Sequence, residues 1–430
     1  MDFVIIANLW QAGQANPTSK HRIAAELVRR GHRVLWVEGS GMRSPSLASG
    51  ADRSRIVRKV LGALRGARRV QSQSATGGSP AAEGALWVLS PLLLPLPRYA
   101  GVRRLNGAVC AWSARLWARW LGLRDPVLIN YVPVLAEAMK MWGRGPGGTG
   151  RGQTGHVAGH PDPASRHPPR VVYHCVDRWD AFRMYDAAVM TEMDARCCEY
   201  ADLVIASSRD LCDRCRSRNP NTHLVLHGVD HAHFAAALAG PARPGDLPAG
   251  PIAGFFGLLS EWLDQDLVLQ LAAAVPEASV VLIGAADVPI DRLRAVPNIR
   301  WLGPRPFRDL PAYVAHFGVG LIPFLVNDLT RAVNPIKLRE MLSAGCPVVA
   351  TALPEVEAYD GLMDPTGRSA VAIARNPAEF IDAVRERLRQ PLGREERAWV
   401  SATVAGETWG AKVDEMLRLC GRSDDTGPGG

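Results

Sequence analysis

Between Asn327 and Thr351 the chain reads NDLTRAVNPIKLREMLSAGCPVVAT, and this order of signals leaves few folds open. Asn334 followed by Pro335 predicts a helix start. Asparagine can cap free backbone N–H groups, and proline in the first turn gives up an N–H that has no partner there. Ile336 to Leu342 continue the helix, and Ala344-Gly345 end it. Pro347-Val348-Val349-Ala350 then forms a short apolar run, as in a buried parallel strand. Loop, capped helix and buried strand in succession build an α/β layer around a parallel sheet.

The same stretch suggests a ligand. The free N–H groups and the dipole at a helix start favour an anion, so Asn334, Ile336 and Leu338 would frame it and Lys337 would add a point charge. Glu340 follows Lys337 by three residues, on the same face and one turn deeper. There a carboxylate can accept two hydrogen bonds from a vicinal diol such as a ribose. Diphosphate at the tip with ribose below it describes a nucleotide sugar. A ligand-free amphipathic helix on a parallel sheet gives the same pattern, so other parts of the chain have to distinguish the two.

From the first residue, strands and helices alternate. Phe3–Ala7 reads as a strand, Ser19 as the cap of a helix reaching Arg30, and Val34–Val37 as the next strand. The loop between, with Gly13, Asn16 and Ser19, stands at the carboxyl end of the first strand, where open α/β sheets hold ligands. It has no G-x-G-x-x-G, so no nicotinamide fingerprint is expected. Residues 51–70 carry seven Arg or Lys against one Asp, on an apolar stripe at helical spacing. They predict a basic amphipathic helix, either solvated or lying on anionic lipid. Residues 71–84 and 143–170 are expected to be mobile loops, because they offer nothing apolar to bury. Residues 106–122 predict a helix whose Trp112, Trp117 and Trp120 read as core or interface.

The strand Val171–His174 ends in CVDRWDAF, which places His174, Asp177 and Asp180 just past a strand end. PARPGDLPAGP (241–251) reads as a linker, Ile252–Phe256 as a strand, and Gly257 as the start of its loop. The predicted organisation is an α/β N-terminal domain (1–240), the linker, a second α/β domain (252–395), a terminal helical segment (396–420) and a disordered tail (421–430).

Glu340 with Gly345, Pro347, Val348 and Val349 resembles the donor-binding motif of GT-B glycosyltransferases of the family four group, also called glycosyl transferases group 1. In that motif two glutamates are separated by seven residues and precede a Gly-x-Pro-Val-Val strand. The first glutamate would fall at Ala332, so that half is absent, and the Asn-Pro-x-Lys run is similar to a version found in some bacterial cell-surface sugar transferases. Ala201-Asp202-Leu203-Val204, His227-Gly228-Val229-Asp230 with Phe234, and the terminal Trp409 helix resemble further signatures of that fold. The resemblance implies two Rossmann-like domains facing across a cleft, with a C-terminal helix returning to the first. It implies a donor on the second domain, an acceptor on the first, retention of configuration, and Arg305 in a loop bordering the nucleotide base. Family members usually place a basic residue soon after the glycine matching Gly257; here Ser260, Glu261 and Trp262 follow.

A formal charge of +8 favours anionic partners, which diphosphate-linked substrates and acidic lipid satisfy; a nucleic-acid partner is not expected. No apolar run reaches membrane-spanning length and the start has no basic leader, so the expected location is cytoplasmic, either free or peripheral on the inner face of the plasma membrane. Eight cysteines read as free thiols. Neither Cys197-Cys198 nor Cys212-x-x-Cys215 matches a usual zinc module, and no Asp-x-Asp suits a metal beside a diphosphate, so no metal and no cofactor are expected. The expected activity is metal-independent sugar transfer from a nucleotide sugar to a glycan or lipid-linked acceptor. Should the reaction invert, Asp177 is the candidate base and His174 the second. A sugar-nucleotide epimerase on the same fold, or a non-catalytic relative, stays open at this point.

Overall fold

The computed structural model describes residues 1–8, 10, 17–39, 66–70, 84–143 and 170–421. Gly13 and Asn16, residues 51–65 of the basic segment, the two expected mobile loops apart from Gly84, Gly143 and Arg170, and all of the tail after Gly421 lie outside them. The chain divides into two compact units: Met1–Gly13, Thr18–Val225 and Val413–Gly430 form the first; Gln14–Pro17 and Leu226–Lys412 form the second.

The first unit is built on one sheet. Its strands are β1 (Asp2–Ala7), β2 (Arg33–Glu38), β3 (Arg68–Val70), β4 (Ala85–Leu89), β5 (Val127–Asn130), β6 (Val171–Cys175), β7 (Leu203–Ala206) and β8 (Thr222–Leu224). They lie in the order β3-β4-β2-β1-β5-β6-β7-β8, and only β3 runs antiparallel. β1, β5 and β7 are buried along their whole length, which is why they read as continuous apolar runs without alternation. The direction of strand addition reverses between β1 and β5. Loops leaving those strand ends part to opposite faces there and leave room for a ligand.

Three expectations change in this unit. Arg68–Val70, the end of the segment expected to be helical, pairs as an edge strand with Leu86–Val88. The three residues find ladder partners there, which outweigh their helical spacing. The tryptophan helix begins earlier, at Ala100, and ends at Trp120. Ser19 is not a cap: the helix Ser19–Arg29 is preceded by Thr18 in extended conformation, and the Thr18 hydroxyl lies 2.7 Å from His21 Nδ1.

The second unit has an all-parallel sheet of β9 (Ile252–Phe256), β10 (Ser279–Ile283), β11 (Ile299–Gly303), β12 (Val319–Ile322), β13 (Val348–Thr351) and β14 (Val371–Ala374). The order β11-β10-β9-β12-β13-β14 is the doubly wound arrangement, with its switch point between β9 and β12. The expected linker lies inside this unit, which begins at Leu226. Packing explains the earlier boundary: Phe234 is fully buried and stacks on Phe256, and Val229 bridges Thr408. The terminal helix Trp409–Leu419 forms as expected, and its residues from Val413 onward cluster with the first unit. Val413, Met416 and Cys420 are buried there and line a small apolar cavity with Phe3, Leu27 and Ile129.

Candidate functional site

At the switch point of the second unit, the strand β9 hands over to Gly257. This residue has φ +154, and a Cβ built on Gly284 would fall 1.7 Å from the Gly257 carbonyl oxygen. Glycine at both positions lets two loops from neighbouring strand ends touch. The helix Ile336–Ser343 starts beside them: a Cβ on Gly257 would lie 3.7 Å from Lys337 Cε, and the Lys337 ammonium sits 4.8 Å from the Phe256 ring centroid. Lys337 Nζ donates to Glu340 Oε2 at 2.6 Å, as the three-residue spacing allows. Glu340 is buried and the Lys337 side chain is 30% exposed, so the cation faces outward with the carboxylate behind it. Lys337 thus lies within reach of both the Gly257 loop and Glu340.

Asn334 does not cap this helix. Pro335 holds the cap position, and Asn334 Oδ1 instead accepts from Arg339 Nη1 at 2.5 Å. The reason is a buried cation, Arg339. Arg339 is 1% exposed, donates through Nε to Glu407, and lies 5.5 Å from the Tyr359 ring. Tyr359 Oη donates to the same Glu407 oxygen at 2.7 Å. A buried guanidinium needs a carboxylate and hydrogen bonds, and Asn334 is recruited to supply one. This turns Asn334 Nδ2 into a buried donor without a partner, at the start of the helix. Ile336 is half-buried, and Leu338 is a core side chain whose N–H bonds to the Pro335 carbonyl at 3.2 Å, so neither offers a ligand its side-chain chemistry. Arg305 is engaged with Asp246, and its Nε donates to Tyr313 Oη at 3.0 Å, where it ties the 241–251 segment to this unit. Ala332 is buried, so no carboxylate stands where the resembled motif has its first glutamate.

The first unit has a polar cluster at its own switch point. Lys20, in the first turn of the helix Ser19–Arg29, is only 7% exposed, and its ammonium lies 5.2 Å from the Trp179 ring and 5.7 Å from the Tyr131 ring. Both rings come from just past the ends of β6 and β5 and favour a cation over their faces. Burial lowers the Lys20 pKa, and the Asp177 charge opposes the shift. Burial in turn raises the Asp177 carboxyl to about 6, with Lys20 opposing. Asp180 is held by Arg178 at 3.6 Å and Arg214 at 3.4 Å, which leaves Asp177 as the carboxylate facing the lysine. His174 is buried, with Nδ1 3.0 Å from Tyr131 Oη, so it orients that ring rather than meeting a substrate. His21 stacks on Trp36 at 4.9 Å; burial and then the Lys20 charge bring its pKa down to about 4, and it stays neutral. Trp179 Nε1 and His21 Nε2 are buried and without partners.

Ser19 is buried beside this cluster. Lys20, Tyr131 and Trp179 are site residues that the sequence reading does not single out, although Tyr131 and Trp179 stand just past the ends of β5 and β6. A lysine in the first helical turn, where positive charge opposes the dipole, was the available signal.

All eight cysteines are buried free thiols. Among the described residues Asp194, Cys198 and Cys215 bring ligand atoms within 4.8 Å of one another. Tyr173 Oη donates to Asp194 Oδ1 at 2.5 Å, and against the lowering effect of its bond with Cys215 the Cys198 thiol is raised by burial together with Asp194, Cys175 and Cys197. The carboxylate thus already has a partner, and the thiols favour their protonated form. No helix among the described residues is long and apolar enough to cross a membrane.

Residues 250–390 match the family described as Glycosyl transferases group 1. The chain is 28% identical over 202 residues to a putative teichuronic acid biosynthesis glycosyltransferase of Bacillus subtilis (strain 168), covering 43% of this chain and 51% of that protein. It thus spans about half the length of this curated relative. Among solved structures it is similar to sucrose-phosphate synthase from Thermosynechococcus elongatus, with TM-score 0.63, 13% identity, and coverage of 97% of this chain and 98% of that one. Anabaena HepE in complex with UDP and glucose aligns with TM-score 0.57 and 15% identity, covering 97% and 99%. The two sheets have the α/β organisation of the GT-B fold, and the resemblance to group 1 glycosyltransferases drawn from the motifs holds.

Proposed function

We propose that this chain, whose residues 250–390 match the group 1 glycosyl transferases, moves a sugar from a nucleotide-diphosphate donor to a hydroxyl of a cell-surface glycan or lipid-linked acceptor. The observation that carries this is the Lys337–Glu340 pair at a helix start beside Gly257, inside the matched region and at the switch point of its sheet. The diphosphate sits at the helix tip, where Lys337 and the helix start meet it, and Asn334 Nδ2 is a further donor. Glu340 accepts from the ribose through the oxygen Lys337 leaves open. As the bond from the anomeric carbon to the β-phosphate oxygen breaks, its electron pair goes to that oxygen. The helix start and Lys337 stabilise the growing charge without a metal.

The acceptor belongs with the first unit. Its hydroxyl oxygen bonds to the anomeric carbon, and with retention its proton passes to the departing phosphate oxygen on the same face. Within the first unit Asp177, ionised above about pH 6, offers a hydrogen-bond acceptor to a sugar hydroxyl, and the Lys20 charge favours its ionised form. Inversion would make Asp177 the proton acceptor instead. That Anabaena HepE is titled as a complex with UDP favours UDP as the donor nucleotide, and the teichuronic acid relative favours a polysaccharide acceptor.

A thermal-shift panel of UDP, GDP, ADP and dTDP at fixed concentration, followed by product analysis with the matching radiolabelled sugar donors, tests this. Stabilisation by one diphosphate and label transfer to an acceptor is expected. Binding without transfer to any acceptor would leave a non-catalytic relative, and a change of sugar stereochemistry without acceptor would mean an epimerase.

A further inference from the structure

The surface of the first unit carries exposed apolar side chains outside the Lys20–Asp177 cluster. Of the twelve large hydrophobic side chains exposed among the described residues, eight fall between Leu92 and Trp120, a concentration in one stretch of the chain. On the helix Ala100–Trp120, Leu105, Trp112, Leu116 and Trp120 recur at seven, four and four residues and so share one stripe. Trp112 is 72% exposed and Trp120 75% exposed, although the opposite face of the same helix, through Cys110, Ala114 and Ala118, is fully packed. The proline-rich approach adds Leu92, Leu94, Leu96 and Tyr99. A helix that buries small residues and exposes its tryptophans is oriented toward something other than its own core.

Charge identifies the partner. Residues 91–122 contain five arginines and no aspartate or glutamate. Arg103 is paired with Glu192, and Arg115 donates to the carbonyls of Met141 and Trp142. Arg98, Arg104 and Arg119 are exposed, with no ion pair among the described residues. Tryptophan bodies, leucines and uncompensated arginines on one exposed face match the interfacial layer of a bilayer with anionic headgroups. Rings settle at the headgroup level, leucines reach the acyl boundary, and guanidinium groups meet phosphates. A protein partner of ordinary composition would not require the complete exclusion of acidic residues. We propose that the face formed by Leu92–Tyr99 and the Leu105–Trp112–Leu116–Trp120 stripe docks this chain on an anionic membrane surface. The exposed Arg68 and Arg69 of β3 add to the positive charge of the same unit.

The test is sedimentation with vesicles of phosphatidylcholine alone or with 30% phosphatidylglycerol (an order-of-magnitude anionic content, about that of a charged leaflet), using the full chain without donor or acceptor, so its outcome is independent of the proposed transfer. Wild type should bind the anionic vesicles and bind the neutral ones weakly. The triple variant Trp112→Gln, Leu116→Gln, Trp120→Gln should lose about tenfold or more in partition. Its melting temperature should not move, because the three side chains are exposed. Arg98→Gln, Arg104→Gln, Arg119→Gln should lose about fivefold per charge, and raised salt should mimic only this variant. Failure of wild type to bind, or unchanged binding by the apolar variant, overturns the proposal. A wild-type dimer in light scattering that the apolar variant makes monomeric, without vesicle binding, would assign the face to a second copy instead.

Discussion

Replacing Glu340 by glutamine probes the donor site where the structure is most specific. Glu340 Oε2 is held by Lys337 at 2.6 Å, so the ribose diol is left with the other oxygen and the remaining lone pair. Hydrogen bonds to a charged acceptor are worth about 1.5–3 kcal/mol. The amide is of similar shape but loses the charge and turns one acceptor oxygen into a donor, so the loss should fall within that range. At about 1.4 kcal/mol per factor of ten, the nucleoside diphosphate should bind roughly ten- to a hundredfold more weakly. The Lys337–Glu340 pair is partly exposed, and losing it should cost no more than about 1 kcal/mol of stability. Calorimetric titration of Glu340→Gln with UDP, next to a melting curve, separates the two effects. A dissociation constant within twofold of wild type, with the melting temperature preserved, would remove Glu340 from the site.

Lys337→Ala should lower kcat by on the order of a hundredfold and raise the donor KM less, since its charge counts most as the diphosphate departs; an effect confined to KM contradicts that role. With the Asp177 carboxyl raised to about 6, kcat/KM should climb as pH passes that value, and Asp177→Asn should abolish the limb. The same shift has a stability consequence of fixed sign. The folded state holds this proton where the unfolded chain has lost it, so the Asp177 contribution to stability falls as pH rises from about 4 to about 6, and Asp177→Asn should flatten that slope in urea titrations. Activity should survive EDTA, because the leaving group is met by the helix start and Lys337; loss on chelation with rescue by Mg²⁺ or Mn²⁺ would overturn this and reopen the carboxylates around Asp177.

The sequence by itself determined what depends on neighbours along the chain. β1 and β13 were legible because strands buried on both faces must be apolar throughout. The Lys337–Glu340 pair was legible because residues three apart on a helix are neighbours whatever the helix packs against. What only the tertiary structure decided rests on distant contacts. Asn334 has the spacing of a cap, yet its oxygen goes to Arg339, a cation buried only because Glu407 and Tyr359 arrive from far along the chain. Lys20 became a site residue because the strand order places the ends of β5 and β6 next to the helix that follows β1, which sets Tyr131 and Trp179 around it. Trp112 and Trp120 carry a periodicity that fits core and surface equally well. Periodicity fixes that residues share a face but not which way the face points; here the small residues took the inside, and the tryptophans were left facing outward.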